Sequence, residues 1–439
     1  MKFFDRKKEI ETLLEIDEKS NTNAQFTVIT GRRRIGKTAL ILNAYKDRTF
    51  IYLFVSKKAE PELCADYTIE VEKKLGIKIP GKISKFYQLF EYLIELSKNQ
   101  HIIIFIDEFQ VFLNINPSVY SDMQKLWDIN HTEAKLNLIV CGSVNSLINK
   151  IFRDNKEPLY ARQTQFMHIE CFTTDVLKQI LEEYSPSYPA EDLLALYTFT
   201  GGVPKNVELI IDNKAFTKAK MINLILKRES IFITEGKNLL IEEFGKDYGI
   251  YFTILSKIST GVNSRTAIEA EINREIGGYI TKLENDYGII EKRLPLLAKS
   301  QTKSVRYYIK DNFLNFWFRF VFKYNYMLEI NAHEKLKQIV ERDYDIFSGF
   351  MLEKYFRQKL TEQQSFTRIG SWWDRKGENE IDIIASDEIS SKTTYYEVKR
   401  QKARINIEVL RAKSEMFKQA TGGFKDYQED FVALGMEDM

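Results

Sequence analysis

A chain of 439 residues is too long for one ordinary core, and at about 150 residues per domain it should fold as roughly three. Hydrophobic residues at 44% and charged residues at 29% describe a globular protein, and no run approaches the ~20 apolar residues of a membrane span, which excludes the membrane as a partner. A net charge of +2 makes no case for nucleic acid by itself, and the scattered Cys64, Cys141 and Cys171, with only four histidines, indicate neither a disulfide framework nor a zinc site.

The start reads MKFFDRKKEIET, with charges throughout and no apolar run leading to a small-residue cleavage site, so a cytoplasmic location is expected. Gln25 to Thr30 (QFTVIT) is a β-branched and aromatic run that predicts a buried strand. It feeds into Gly31-Arg32-Arg33-Arg34-Ile35-Gly36-Lys37-Thr38 and then the helix-like ALILNAY. A strand, a glycine-bearing loop and a helix in this order form a phosphate-binding loop, with the phosphates at the positive end of the helix. Lys37 is placed to reach the β- and γ-phosphates of ATP, and the Thr38 hydroxyl to ligate magnesium. The three arginines are candidates for contacting phosphate or a partner domain.

Ile102 to Ile106 (IIIFI) predicts a central parallel strand covered on both faces, and it ends in Asp107-Glu108. Asp107 fits a water-mediated magnesium partner, and Glu108 fits the base that orients or deprotonates an attacking water. A third apolar strand, Leu136 to Cys141, runs into Gly142-Ser143, where the Ser143 hydroxyl is a candidate sensor of the γ-phosphate. Pro158-Leu-Tyr160-Ala-Arg162 places an arginine after a rigid turn, either a charge-neutralising finger or a surface residue, and Thr200-Gly-Gly-Val-Pro204 forms a tight turn within a helical stretch.

FFDRKKEIETL, GRRRIGKT, IIIFIDE, IVCGSV, PLYAR and TGGVP, in this order, resemble the prokaryotic ATPases related to the AAA+ and STAND groups, the archaeal ATPase family. The resemblance implies ATP and magnesium as ligands and sets Pro204 against the adenine. Typical AAA+ proteins carry an arginine in the second sensor region, where this chain has Lys205.

From Tyr251, three helix-period segments precede two short strand-like pieces, the pattern of a winged helix-turn-helix, with Ser264 capping the second helix and Gly277-Gly278 opening the third. Residues 292–310 hold six Lys or Arg and no acid, which places them on the wing, either gripping a DNA backbone or docked internally. Phe313, Phe316, Trp317 and Phe320 recur at helical spacing and predict a core helix.

Further on, Glu380-Ile-Asp382-Ile-Ile-Ala385 and, after a polar loop, Tyr396-Glu397-Val-Lys399 predict a hairpin that sets Asp382 near Glu397, with Glu397 and Lys399 on one face. Glu353, on the helix-like GFMLEKYFRQKL, is a third candidate acid. Hard carboxylate oxygens suit a second Mg2+ or Mn2+, and the lysine suits a developing phosphate charge. A surface hairpin with a Glu/Lys pair is the alternative. The constellation resembles the PD-(D/E)xK nuclease fold and, with the aromatic segment and GSWW, the domain of uncharacterised function that follows the ATPase in the family above. Residues 399–418 carry seven basic residues against two acids, and Lys402, Arg404, Arg411 and Lys413 either face a phosphate backbone or form a solvated helix face.

The expected fold is α/β: a P-loop ATPase core with a parallel sheet (1–170), a helical lid (171–240), a winged helix (241–310) and a restriction-nuclease-like α/β domain (311–439). The expected function is ATP binding and hydrolysis that couples nucleotide state to a DNA-binding or DNA-cleaving C-terminal domain. The alternative is a STAND-like signalling switch whose nuclease-like domain is inactive and meets a protein partner or a second copy.

Overall fold

The computed structural model describes residues 1–244, 248–299, 302 and 304–439, with the backbone alone for Glu242. Lys303, one of the six basic residues expected on the wing, lies outside the described residues. The chain divides into two compact units, Asp5–Glu170 and a second formed by Met1–Phe4 with Cys171–Met439.

The N-terminal unit holds strands β1 (Gln25–Thr30), β2 (Ile51–Phe54), β3 (Ile102–Asp107), β4 (Leu136–Cys141) and β5 (Gln165–His168) in one sheet. Their order is β2-β3-β4-β1-β5, and every pairing is parallel. Parallel strands are covered on both faces by their crossover helices, which explains why β3 and β4 are apolar without alternation and buried along their whole length. Ile104, Phe105, Ile106, Leu138, Ile139 and Val140 are all fully buried, each worth about 1.5–3 kcal/mol relative to exposure. One covering helix, Phe86–Ser97, buries Phe86, Leu89, Phe90, Leu93 and Ile94 at the spacing of a single face. Because β4 lies between β1 and β3, the turns after these three strands emerge side by side. Gly31, Ser143 and Asp107-Glu108 are thereby gathered at one edge of the sheet.

The C-terminal unit begins with the helices Thr174–Tyr184, Ala190–Thr200, Pro204–Asp212 and Lys218–Leu226. The helices Tyr248–Ser259, Arg265–Ile272 and Gly277–Thr281 follow, the last widening into a π turn that runs to Asp286. The Ser264 hydroxyl accepts from the Ala267 N–H at 3.3 Å, the expected cap of the second helix. β6 (Ile290–Arg293) and β7 (Arg306–Ile309) then pair antiparallel. A long helix, His333–Gln363, leads to β8 (Arg368–Trp373), β9 (Glu380–Asp387), β10 (Lys392–Val398) and β11 (Gln428–Leu434), in spatial order β11-β10-β9-β8. Only β10 and β11 run parallel, joined by the crossover helix Ile407–Thr421.

One apolar core runs through this unit, from Leu196 and Phe199 through Phe252, Phe316 and Tyr344 to Ile383 and Val398. Phe313, Phe316, Trp317 and Phe320 are buried within it, and the Trp317 indole N–H donates to the Ile233 carbonyl at 2.8 Å. Gly236 makes room for that ring, since a Cβ there would stand 2.3 Å from it. No helix among the described residues is long and apolar enough to cross a membrane.

Candidate active site

The loop after β1 needs glycine at both ends for different reasons. At Gly31 (φ 144°) a Cβ would stand 2.6 Å from the Ile169 carbonyl oxygen, whereas Gly36 takes φ 87° in open space. Arg34 is also left-handed, at φ 67°. Ile35 is buried and pins the loop, while Arg32, Arg33 and Arg34 are half-buried. Lys37 heads the helix Lys37–Ala44 and folds back, its Nζ donating to the Gly31 carbonyl at 2.8 Å and the Arg32 carbonyl at 3.1 Å. Burial pulls its ammonium below the ordinary lysine range, and the nearby Glu108 and Asp107 oppose this.

Asp107 is held by four donors. Thr38 Oγ1 at 2.9 Å and the Tyr52 hydroxyl at 3.1 Å reach Oδ2, and the Glu108 N–H and the Cys141 thiol, each at 2.9 Å, reach Oδ1. Burial raises the pKa values of both the tyrosine and the thiol, which keeps them neutral donors at pH 7. The Thr38–Asp107 approach sets two hard oxygens side by side, the donor set that magnesium takes beside nucleotide phosphates, so the residues fit that ion.

Glu108 turns the backbone sharply at φ 56°, a conformation that non-glycine residues hold only where the surroundings impose it. Its Oε2 accepts from Ser143 Oγ at 2.7 Å and from Gln110 Nε2 at 2.5 Å. Ser143 thus meets Glu108 directly. Tyr52 and Gln110 carry no motif and escape sequence reasoning. For Gln110 a signal existed, a lone polar residue in the apolar stretch after the acidic pair. Gly142 completes the arrangement, because a Cβ there would stand 2.1 Å from Gln110 Oε1 and 2.7 Å from Ile148 Cδ1.

Arg162 is not brought to the loop. Its guanidinium forks onto both oxygens of Asp128, at 3.1 Å each, and also meets the Tyr160 carbonyl at 2.9 Å. Pro204 occupies the first turn of the helix Pro204–Asp212, where its missing N–H costs nothing. Gly201 (φ 59°) and Gly202 (φ 71°) make the turn before it, and a Cβ on Gly202 would stand 2.6 Å from the Phe172 carbonyl. Pro204 belongs to the C-terminal unit.

In that unit β9 and β10 form the expected hairpin, with Ile383 opposite Tyr396. Glu397 and Asp382 come next in that register, and the Val398 N–H donates to Asp382 Oδ2 at 2.7 Å. Glu353, Asp382 and Lys399 line one cavity of about 680 Å³, together with Phe350, Arg400 and Arg404. Burial, reinforced by the charges of Glu353 and Glu397, pushes the Asp382 carboxyl well above its usual range. Burial likewise raises Glu353.

The expected trio of metal-ligating acids does not assemble. Glu397 faces Lys413 at 3.0 Å and Lys399 at 3.4 Å, and Glu353 accepts from Arg357 at 3.0 Å. Arg357 also donates to the Asp382 carbonyl at 2.9 Å and to Ser371 Oγ. Among the described residues no group of three His, Cys, Asp or Glu side chains could hold a metal ion. As placed, Glu353, Asp382 and Glu397 do not fit a second Mg2+ or Mn2+: Glu353 is paired with Arg357 and Glu397 with Lys399 and Lys413, while the Asp382 carboxylate accepts from the Val398 N–H.

The basic stretches are largely engaged with their own unit. Arg306 reaches both Glu380 oxygens at 2.9 Å and stacks 4.4 Å from the Trp373 ring centre. Lys402 pairs with Asp438 at 2.8 Å, Lys418 with Glu429 at 3.0 Å, and Arg411 covers the Phe431 ring at 4.4 Å. Lys292, Lys299 and Lys310 are exposed.

Residues 3–210 match an ATPase domain found predominantly in Archaea, and residues 317–412 match a domain of archaeal and bacterial proteins of unknown function. An uncharacterized protein of Methanocaldococcus jannaschii is 28% identical over 448 residues, which span 99% of this chain and 95% of the relative. Among solved structures, the Walker-type ATPase of Pyrococcus abyssi aligns with a TM-score of 0.53 at 18% identity, over 72% of this chain and 96% of its own, a likeness of fold. Residues 3–210, which hold the parallel five-stranded sheet, are thus similar to an archaeal-type ATPase domain, and a C-terminal domain with a mostly antiparallel four-stranded sheet follows.

Proposed function

We propose that this protein binds ATP with magnesium, hydrolyses it, and passes its nucleotide state to a C-terminal domain that contacts DNA. The observation that carries the ATPase reading is the adjacency of two pairs, Thr38 with Asp107 and Glu108 with Ser143, at the edge where the phosphate loop emerges. Lys37 would exchange its two loop carbonyls for the β- and γ-phosphates, and Thr38 and Asp107 would hold the magnesium. Bound magnesium neutralises charge developing on the phosphates. Glu108 orients and deprotonates the attacking water, and Ser143 registers the γ-phosphate. The backbone of Gly31 to Gly36 cradles the phosphates, with Arg32 to Arg34 at its rim, and the family resemblance assigns Pro204 to the adenine. A finger role for Arg162 requires its release from Asp128.

Within the C-terminal unit, one helix joins the turn before Pro204 to the pocket wall. Glu191, at the start of the helix Ala190–Thr200, pairs with Arg400 at 2.6 Å, and Arg400 directly follows Lys399 in the pocket wall. The same helix ends at the Gly201-Gly202 turn that leads to Pro204. In this reading 171–240 serves as the lid on the 1–170 core, 241–310 is a winged helix and 311–439 is the nuclease-like domain. The wing favours internal docking, since the Leu296 N–H donates to the Ser371 carbonyl at 2.7 Å and Arg306 pairs with Glu380.

A second reading, a signalling switch with an inactive nuclease-like domain and a protein partner or second copy, is favoured by Arg357 sitting among the acids. Two experiments decide. Glu108→Gln should abolish hydrolysis while ATP binding survives; unchanged hydrolysis overturns the ATPase mechanism. Mg2+- or Mn2+-dependent DNA cleavage abolished by Asp382→Ala or Lys399→Ala would establish nuclease action, whereas no cleavage of single-stranded, duplex and branched DNA leaves the switch.

A further inference from the structure

Gln110 sits in the short 3-10 segment Phe109–Val111, two residues beyond Glu108, and is almost fully buried. The left-handed backbone of Glu108 folds this turn so that the two side chains meet. The Gln110 amide donates to Glu108 Oε2 at 2.5 Å and lies 3.5 Å from Ser143 Oγ. Its other end is anomalous: Oε1 is buried without a hydrogen-bond partner, pressed against Gly142. A buried acceptor left unpaired is destabilising, and nearly all such groups in folded proteins find partners. Turning the amide over gives no relief, because Oε1 would then face the carboxylate oxygen lone pair against lone pair. A glutamine kept only for packing would be better replaced by an apolar side chain of its size. The unpaired carbonyl is thus the consequence of committing the amide N–H to Glu108.

We infer that Gln110 is a positioning residue for ATP hydrolysis. With Ser143 it anchors one oxygen of Glu108, Oε2, and so turns the other, Oε1, toward the attacking water. In the step it serves, the water oxygen bonds to the γ-phosphorus as the bond from that phosphorus to the bridging oxygen of ADP breaks. The water proton passes to Glu108 Oε1 and from there to solvent. Two donors on one oxygen fix the rotation of the carboxylate, which a single hydroxyl donor leaves loose. Gly142 belongs to the same device, because any side chain there would drive the amide off Glu108. The inference rests on the reading of Glu108 as the base.

The test uses the full chain with ATP and magnesium. Gln110→Met keeps the size, removes the donor and removes the unpaired carbonyl. Its kcat should fall about tenfold to a hundredfold, with KM and ATP affinity within about twofold of the parent. Its thermal midpoint should stay level or rise, an opposition between stability and turnover that a packing role would not produce. In a Glu108→Gln background the same substitution should change nothing further. Parental kcat in Gln110→Met, or weakened ATP binding, or an equal further loss without Glu108, overturns the inference. Parental hydrolysis in Glu108→Gln alone overturns the reading beneath it instead. If Gln110→Met does not fold, Gly142→Ala decides in its place: it should lower kcat at constant KM with Gln110 still present, and an unchanged kcat overturns the inference.

Discussion

Replacing Lys354 with methionine should remove a pH-dependent penalty from the C-terminal unit. Lys354 follows Glu353 on the long helix, and its ammonium donates to the Ile309 carbonyl at 3.3 Å and to the Lys310 carbonyl. Burial lowers its pKa from the ordinary 10.5 to about 8; Glu291 pulls it up, while Arg293 and Arg357 press it down. The unfolded chain keeps this proton up to about 10.5 and the folded chain releases it near 8, so between these values the unfolded state binds more protons and stability rises with pH. The depression amounts to about 3 kcal/mol of destabilisation at pH 7, of which about 2 kcal/mol is relieved by pH 9.5. Methionine removes the whole term but leaves the two carbonyls without that donor, at about 1–2 kcal/mol together. The variant should therefore gain about 1–2 kcal/mol at pH 7 and lose most or all of that advantage by pH 9.5. Denaturant midpoints of parent and variant across this range would measure it, followed by Trp317, Trp372 and Trp373 fluorescence in a Trp127→Phe background. A parent-to-variant difference that stays constant with pH refutes the assignment of a depressed, half-buried ammonium.

Two further substitutions probe the loop and the β6–β7 hairpin. Gly31→Ala forces a Cβ to within 2.6 Å of a backbone oxygen at φ 144°, and should cost about 1–3 kcal/mol of stability and at least tenfold in ATP affinity, read by thermal melting and nucleotide titration. Retained affinity would mean that the loop does not hold the phosphates. Arg306→Met removes the contacts to Glu380 and Trp373 and should lower the stability of the C-terminal unit by about 1–2 kcal/mol in denaturant titration; a change below about 0.3 kcal/mol would show that the hairpin is not fastened there.

Strands β1, β3 and β4 were legible as short β-branched or continuous apolar runs, because a parallel strand buried on both faces has little freedom in composition. The phosphate loop was legible because its chemistry demands glycine, lysine and a hydroxyl at fixed spacing. Tyr52 was not, since its tie to Asp107 depends on β2 lying beside β3, a fact of sheet order that no local pattern carries. The nuclease-like motif shows the limit in another way. Its hairpin register was readable from period-two geometry, but the cations that reach its acids were not all local. Arg357, one helical turn from Glu353, could have been read from i, i+4 spacing, whereas Lys413 reaches Glu397 from a separate helix. A charge run likewise does not announce its partners: Lys402 looks free along the chain and finds Asp438 only in the fold.

The apolar core of the C-terminal unit has a mechanical meaning. The helix Ala190–Thr200 shares one apolar cluster with Ile383, Ala385, Tyr396 and Val398 of the sheet, while Trp372, Ile381, Ile384 and Tyr395 pack in a second one with the helix Ile407–Thr421. Glu191 near the start of the helix Ala190–Thr200 and Arg400 in the pocket wall are joined by a 2.6 Å ion pair, so that helix and the wall beside Lys399 are fastened to each other directly.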